Sequence, residues 1–159
     1  MHRTGIGYDI HRVVPNRPLV LGGVRIPCDF GLLGFSDADV VLHALCDALL
    51  GAAGLGDIGE LFPDSDPANA GADSRRFVAD VVQRVREAGY TVENIDLIIQ
   101  AERPRLTPHK PALRASIAKL LGITADLVGV KAATHEGMDA IGRGEAIACL
   151  ASVLLRNIR

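Results

Sequence analysis

The order of the hydrophobic patterns limits the fold more than any other feature of this chain. Strand-like and helix-like runs are interspersed, but they do not alternate as regular β-α-β units. Residues 4–11 read as a strand. Residues 19–21 and 24–26 flank Gly22-Gly23, a hairpin signal. A helix is expected to start near Ser36, where Ser36-Asp37-Ala38-Asp39 resembles a capping box with Asp in place of the usual Glu. Its apolar run continues through Leu50, and Gly51, Gly54 and Gly56 end it. A loop rich in Pro and Asp covers residues 57–67. Phe77, Val78, Val81, Val82 and Val85 then form one apolar stripe of a second helix over residues 74–88, ended by Gly89. Residues 95–101 are β-rich, Pro104 and Pro108 punctuate the next loop, and a third helix over 111–121 stops at Gly122. A strand over 128–134, a Gly-rich turn and a last strand over 145–155 complete the order. That order predicts an α+β fold, a mixed β-sheet with helices packed on one face, rather than a doubly wound parallel sheet.

No Gly-, Ser- or Pro-rich linker divides the 159 residues, so residues 1–159 are expected to form a single domain. Aromatic residues are only 4% of the chain against 48% apolar, which makes the core aliphatic and rich in alanine. With 17 basic and 19 acidic residues, the charge balance argues against a nucleic-acid partner. Disorder is excluded by the same numbers. Cys28, Cys46 and Cys149 are widely spaced, without C-x-x-C, which excludes a zinc ribbon and argues against a disulfide scaffold. The first residues do not lead into a signal-peptide stretch, and the most apolar run, 146–155, is too short to cross a bilayer. A soluble protein of a reducing, cytoplasmic compartment is expected, with no membrane partner.

Asp9 and His11 are two apart on a predicted strand, so both side chains point to one face and can reach one ion. With His43 from the first helix they make a carboxylate and two imidazoles, a set suited to zinc with an open fourth position. Taken singly, D-x-H is more often a turn or surface pair, and a lone helical His more often a satisfied polar residue than a ligand. Asp39, His43 and Asp47 share a helical face, and an acidic neighbour there can accept the second imidazole proton of a metal-bound histidine. A solvated polar stripe is the other reading. Asp57, Glu60, Asp64 and Asp66 cluster in the following loop. Near the end, Lys131, Thr134 and Glu136 leave a strand ahead of Gly142-Arg143-Gly144-Glu145, where amides, hydroxyl and guanidinium could hold a phosphate. No Walker sequence or dinucleotide fingerprint occurs.

Taken together, these segments resemble the 2-C-methyl-D-erythritol 2,4-cyclodiphosphate synthase family over nearly the whole length. The resemblance rests on G-I-G-Y-D-I-H at 5–11, S-D-A-D-V-V-L-H at 36–43, A-L-C-D-A-L-L-G-A-A-G-L-G-D-I-G at 44–59, F-P-D-S-D-P at 62–67, G-A-D-S-R at 71–75 and G-R-G-E at 142–145. It implies a lyase of the non-mevalonate isoprenoid pathway that cyclises 4-diphosphocytidyl-2-C-methyl-D-erythritol 2-phosphate and releases CMP. It also implies a homotrimer with each active site between two subunits, as found in bacterial cytoplasm. By the same resemblance, Asp9, His11 and His43 bind zinc or another divalent transition metal. Glu136 helps hold Mg2+ or Mn2+ between the substrate phosphates, and Thr134 contacts phosphate. Asp57 binds the erythritol hydroxyls, with Gly59, Phe62 and Asp64 nearby, and Ser36 lies on the phosphate side. Ala101, Arg105, Leu106, Ala132 and Ala133 line the cytidine side, and Arg143 stands near the trimer centre. Two other readings share the scaffold: a metal-dependent phosphodiesterase or phosphatase, and a non-catalytic trimer that binds prenyl diphosphates.

The chain departs from the family pattern at several positions. Phe35 replaces a usual His and removes a phosphate hydrogen bond; His135, in Lys131-Ala132-Ala133-Thr134-His135-Glu136, is expected to replace it in part. Ala38 replaces a usual Gly, and Arg105 a usual Lys. Asp139-Ala140-Ile141-Gly142 stands where G-F-T-G is usual, which puts an anion cavity at the trimer centre in doubt.

Overall fold

The computed structural model describes residues 1–158. The first strand, β1, runs over His2–Pro15, longer at both ends than its sequence pattern. The expected two-stranded hairpin follows, β2 over Leu19–Leu21 and β3 over Val24–Ile26, with Leu21 opposite Val24. Its turn requires positive φ at both central residues, which Gly22 and Gly23 supply at 59° and 76°. A short strand not expected from the sequence, β4 over Phe30–Leu32, pairs with the end of β1.

Helix α1 spans Val40–Ala53, and its cap is Asp39 rather than Ser36. Ala38 has φ 59°, in the left-handed region, so the chain cannot be helical before Asp39. The Asp39 carboxylate accepts from the Leu42 amide at 3.1 Å, and also from Gly22 and Gly23 at 2.8 and 2.7 Å. One buried carboxylate therefore caps the helix and ties it to the hairpin turn. Gly54, in the left-handed conformation, ends the helix.

The remaining elements are α2 (Ile58–Leu61), α3 (Ser74–Glu87), β5 (Tyr90–Gln100), α4 (Lys110–Leu121), β6 (Val128–Ala133), α5 (Asp139–Gly142) and β7 (Ala146–Asn157). The two one-turn helices, α2 and α5, had no readable periodicity. The apolar stripe of α3 is buried as expected, from Phe77 to Val85.

The main sheet has five strands in the order β4-β1-β7-β5-β6. Only β5 and β6 are parallel, so the sheet is mixed. Helices cover one face: α1 lies over β1 and β7, α3 over β5 and α4 over β6. The opposite face is open and carries an apolar row on β1 and β7 beside the Lys131–Asp96 ion pair. Ile6 is 75% exposed there, and Tyr8, Ile10 and Leu150 are also exposed. At one end of this face, Ile141 of α5 packs on Ala146 and Ala148. Cys46 and Cys149 are buried, which pushes both thiols up, and none of the three cysteines forms a disulfide. No helix among the described residues is long and apolar enough to cross a membrane.

Candidate active site

The approach of α1 to β1 builds the site. Gly5 and Gly7 turn their missing side chains toward the helix, where a Cβ on Gly5 would meet the Ala48 carbonyl and one on Gly7 the Ala44 carbonyl. Two residues along the strand match about one turn of the helix. The next step along this line brings Asp9 and His11 against His43, in the first turn of α1. Their ligand atoms converge: Asp9 Oδ2 lies 2.8 Å from His11 Nε2 and 3.2 Å from His43 Nδ1, and the two nitrogens are 3.3 Å apart. Among the described residues this is the cluster that can hold a metal ion.

The second nitrogen of each ring fits that role. His11 Nδ1 lies 2.8 Å from the Leu33 carbonyl, which can only accept, so Nδ1 carries hydrogen and Nε2 faces the cluster. His43 Nε2 lies 2.8 Å from Ser74 Oγ and 3.2 Å from Ser36 Oγ. Burial pushes the Asp9 carboxyl up, but hydrogen bonds and charge from His11 and His43 outweigh it and bring it down to about 2. Burial lowers His11 in the same way, and the Asp9 bond and charge reverse the sign, leaving it raised. A carboxylate that stays ionised beside two imidazoles is a donor set for a divalent transition metal.

A cavity of about 420 Å³ opens beside these ligands. Ser36, Gly59, Phe62 and Asp64, all expected near substrate, line it together with the trio. Phe35 lines it too, so the usual histidine is replaced by an apolar wall. Phe62 is held by stacking on Phe77, with ring centroids 4.4 Å apart. Asp57 is placed differently. It caps α2, accepting from the Glu60 amide at 2.9 Å, and is not among the cavity-lining residues. Asp47 lines the cavity instead and accepts from the Ile58 amide. Burial, with the Asp57 and Asp9 charges, raises its carboxyl. Asp39, one of the two acids that share a helical face with His43, is occupied by the hairpin amides.

A second cavity of about 380 Å³ lies at the C-terminal ends of the parallel pair β5 and β6. Ala101, Arg105, Leu106, Ala132, Ala133 and Thr134 line it, which unites the whole expected cytidine side with the threonine expected to contact phosphate. It shares no lining residue with the first cavity. Beyond it, Glu136 has φ 54° in a loop that Glu102 holds by accepting from the His135 and Gly137 amides at 3.1 and 3.3 Å. Nothing in the sequence marked Glu102 for that task. The His135 ring turns to Asp139, 2.8 Å away. The same hydrogen bond holds the Asp139 carboxyl below its usual range. Arg143 is exposed, paired with Glu145 at 2.8 Å, and lies outside both cavities.

These features agree with comparisons to known proteins. The profile of the YgbB family matches residues 2–156. The 2-C-methyl-D-erythritol 2,4-cyclodiphosphate synthase of Bordetella avium is 54% identical over 153 residues, which covers 96% of this chain and 94% of that protein. A solved structure of such a synthase in a CDP-bound form superposes with a TM-score of 0.90 at 41% identity, covering 97% of this chain and 100% of its own. The bifunctional IspDF of Campylobacter jejuni matches with a TM-score of 0.95 at 44% identity; it covers 99% of this chain, which spans 42% of that longer protein. Profile, sequence and fold agree over almost every residue, and the chain belongs to the YgbB family.

Proposed function

We propose that this chain is a cyclising lyase that converts 4-diphosphocytidyl-2-C-methyl-D-erythritol 2-phosphate to 2-C-methyl-D-erythritol 2,4-cyclodiphosphate and CMP. The observation that carries the reading is the convergence of Asp9, His11 and His43 at the mouth of a cavity, in a chain so similar to proteins named for that reaction. The substrate's own 2-phosphate oxygen forms a bond to its β-phosphorus. The bond from that phosphorus to the bridging oxygen breaks, and CMP departs with the oxygen. No enzymic nucleophile is needed, so the chain's task is to position groups and neutralise charge.

Asp9, His11 and His43 would hold zinc or a related divalent ion, which when bound supplies Lewis-acid polarisation of a diphosphate oxygen. Ser36 presents its hydroxyl to the same cavity, as a donor to phosphate. Asp64 and the backbone around Gly59 offer acceptors and donors for the erythritol hydroxyls, with Phe62 as an apolar wall; Asp57 would join them from the end of α2. Ala101, Leu106, Ala132 and Ala133 make a flat, small-residue wall for a cytosine ring, and Arg105 adds positive charge near the nucleotide phosphate. Thr134 donates to phosphate, and Glu136 would share Mg2+ or Mn2+ with the substrate.

One diphosphate must touch both sets of residues, and they line separate cavities in a single chain. That separation supports a site shared between neighbouring subunits. The open row of Ile6, Tyr8, Ile10 and Leu150 supports a homotrimer, because such a patch gains by burial against other copies. Light scattering should give three times the chain mass, and Ile6→Asp should dissociate the assembly and abolish turnover. A monomeric wild-type chain with full activity would overturn the shared site.

Phosphorus NMR of the protein with substrate, zinc and magnesium tests the reaction itself. The expected products are the cyclic diphosphate and CMP, without oxygen from labelled water. Linear phosphates carrying solvent oxygen would overturn cyclisation in favour of metal-dependent hydrolysis.

A further inference from the structure

His43 turns Nδ1 toward Asp9 and His11, so the orientation of its ring depends on what holds Nε2. Two hydroxyls reach that nitrogen, and they differ. Ser36 Oγ, at 3.2 Å, lines the cavity. Ser74 Oγ, at 2.8 Å, is fully buried at the start of α3 and does not line it.

The hydrogen of Ser74 is committed elsewhere. Its hydroxyl donates to Asp37 Oδ1, and its amide donates to Asp37 Oδ2 at 3.0 Å. A carboxylate only accepts, so the Ser74 oxygen is left to accept from His43. Nε2 is then the protonated nitrogen, and the Nδ1 lone pair faces the ligand cluster. Backbone bonds lock this arrangement from both sides. Gly71 N–H donates to the Phe35 carbonyl at 2.7 Å and Asp37 N–H to the Ala72 carbonyl at 3.0 Å, which joins the loop before α1 to the loop before α3. The Asp39 amide also donates to Asp37 Oδ1, tying the carboxylate to the helix cap.

We infer that Ser74, set by Asp37, is a positioning residue that fixes the tautomer and aim of His43 for metal binding, which leaves the hydrogen of the Ser36 hydroxyl to donate to substrate. The inference rests on the reading that Asp9, His11 and His43 hold a divalent ion. Outer hydrogen bonds of this kind change metal affinity by about 10–100-fold when removed.

The test uses the full chain and zinc alone. Zinc affinity is measured by competition with a chromophoric chelator, and the histidine nitrogens of the zinc-loaded protein are read by nitrogen-15 NMR. In the wild type, His43 should show a metal-shifted Nδ1 and a slowly exchanging Nε2 proton. Ser74→Ala should lose that slow exchange and about 10–100-fold in zinc affinity. Ser36→Ala should keep both. Asp37→Asn retains an oxygen for the Ser74 hydroxyl but sets an NH2 group against its amide, and should show a smaller loss. Should Ser74→Ala fail to fold, the wild-type spectrum and Asp37→Asn still decide. A protonated Nδ1 in the zinc-loaded wild type, or wild-type affinity and exchange in Ser74→Ala, overturns the inference while leaving the metal trio intact. A wild-type chain that takes up no zinc overturns both.

Discussion

Gly7→Ala perturbs the contact that brings Asp9, His11 and His43 together. Gly7 is in extended backbone, where alanine carries no conformational penalty, so any cost must come from packing. A Cβ added there would lie 1.9 Å from the Ala44 carbonyl oxygen and 2.7 Å from the Ala48 amide nitrogen. Comfortable heavy-atom contacts lie at about 3.5 Å, so helix and strand must part by about 1 Å or more. Both obstacles are main-chain atoms of α1, and no side-chain rotation relieves them. Overpacking a core by a methyl group costs about 1–3 kcal/mol, and this rigid case belongs at about 3 kcal/mol. In a domain of this size, that lowers Tm by about 10 °C. His43 adjoins Ala44, and Asp9 lies two residues beyond Gly7, so the shift reaches the ligand atoms directly. Metal sites tolerate about 0.2 Å in ligand distance, and zinc affinity should fall at least about tenfold. Urea unfolding and chelator competition measure the two effects. Gly51→Ala is the internal control: it lies in the same helix, where the nearest atom to an added Cβ is the Ile6 carbonyl at 3.9 Å. It should stabilise the protein by about 1 kcal/mol through helix propensity alone. A Gly7→Ala protein within about 0.5 kcal/mol of wild type, with unchanged zinc affinity, would refute the claim that backbone contact sets the site.

Asp9 predicts an acid signature in the metal-free protein. Its carboxyl is held at about 2 in the fold against 3.8 when unfolded, so its stabilisation is present above pH 3.8 and is lost as pH falls through 2. Wild type should lose about 2 kcal/mol more than Asp9→Asn over that window in pH-dependent urea titrations, and parallel curves would contradict the assignment. Asp39→Ala leaves the Gly22, Gly23 and Leu42 amides without their acceptor, and should cost about 2–4 kcal/mol in the same assay. Glu102→Ala should release the loop that carries Thr134 and Glu136, lowering kcat by about tenfold while the fold stays intact, since misplacing catalytic groups by 1 Å costs rates of that order or more. Unchanged kcat would mean the loop is held by other contacts.

What the sequence revealed, and what it did not, divides by the range of the interaction. The Gly22-Gly23 turn, the α3 stripe and the end of α4 at Gly122 depend on neighbours within a few residues, and each lies where local pattern put it. The shared face of Asp9 and His11 is likewise a property of strand geometry alone. Both ends of β1, the start of β5 and the last residues of β7 lie beyond the apolar patterns, because pairing between strands extends each of them. Partner choice among the acidic residues was illegible for a related reason. Ser36 and Asp39 are both good helix caps, three residues apart, and nothing local ranks them. The decision came from Gly22 and Gly23, whose amides offered Asp39 two more hydrogen bonds and so consumed one of the two carboxylates that share a helical face with His43.

That competition also explains why the imidazole ended on a serine. With Asp39 spent on the hairpin, the remaining acid of the same motif, Asp37, bonds to Ser74 at the start of α3. It reaches the ring only through Ser74, which is 37 positions away in the chain. A carboxylate placed directly on Nε2 would also accept its hydrogen and orient the ring. The neutral hydroxyl accepts the same hydrogen without adding a charge to the ring. Asp37 acts on the serine instead, fixing which way its hydrogen points. The arrangement keeps one anion, Asp9, on the metal side of His43 and a hydrogen-bond acceptor of no net charge on the other.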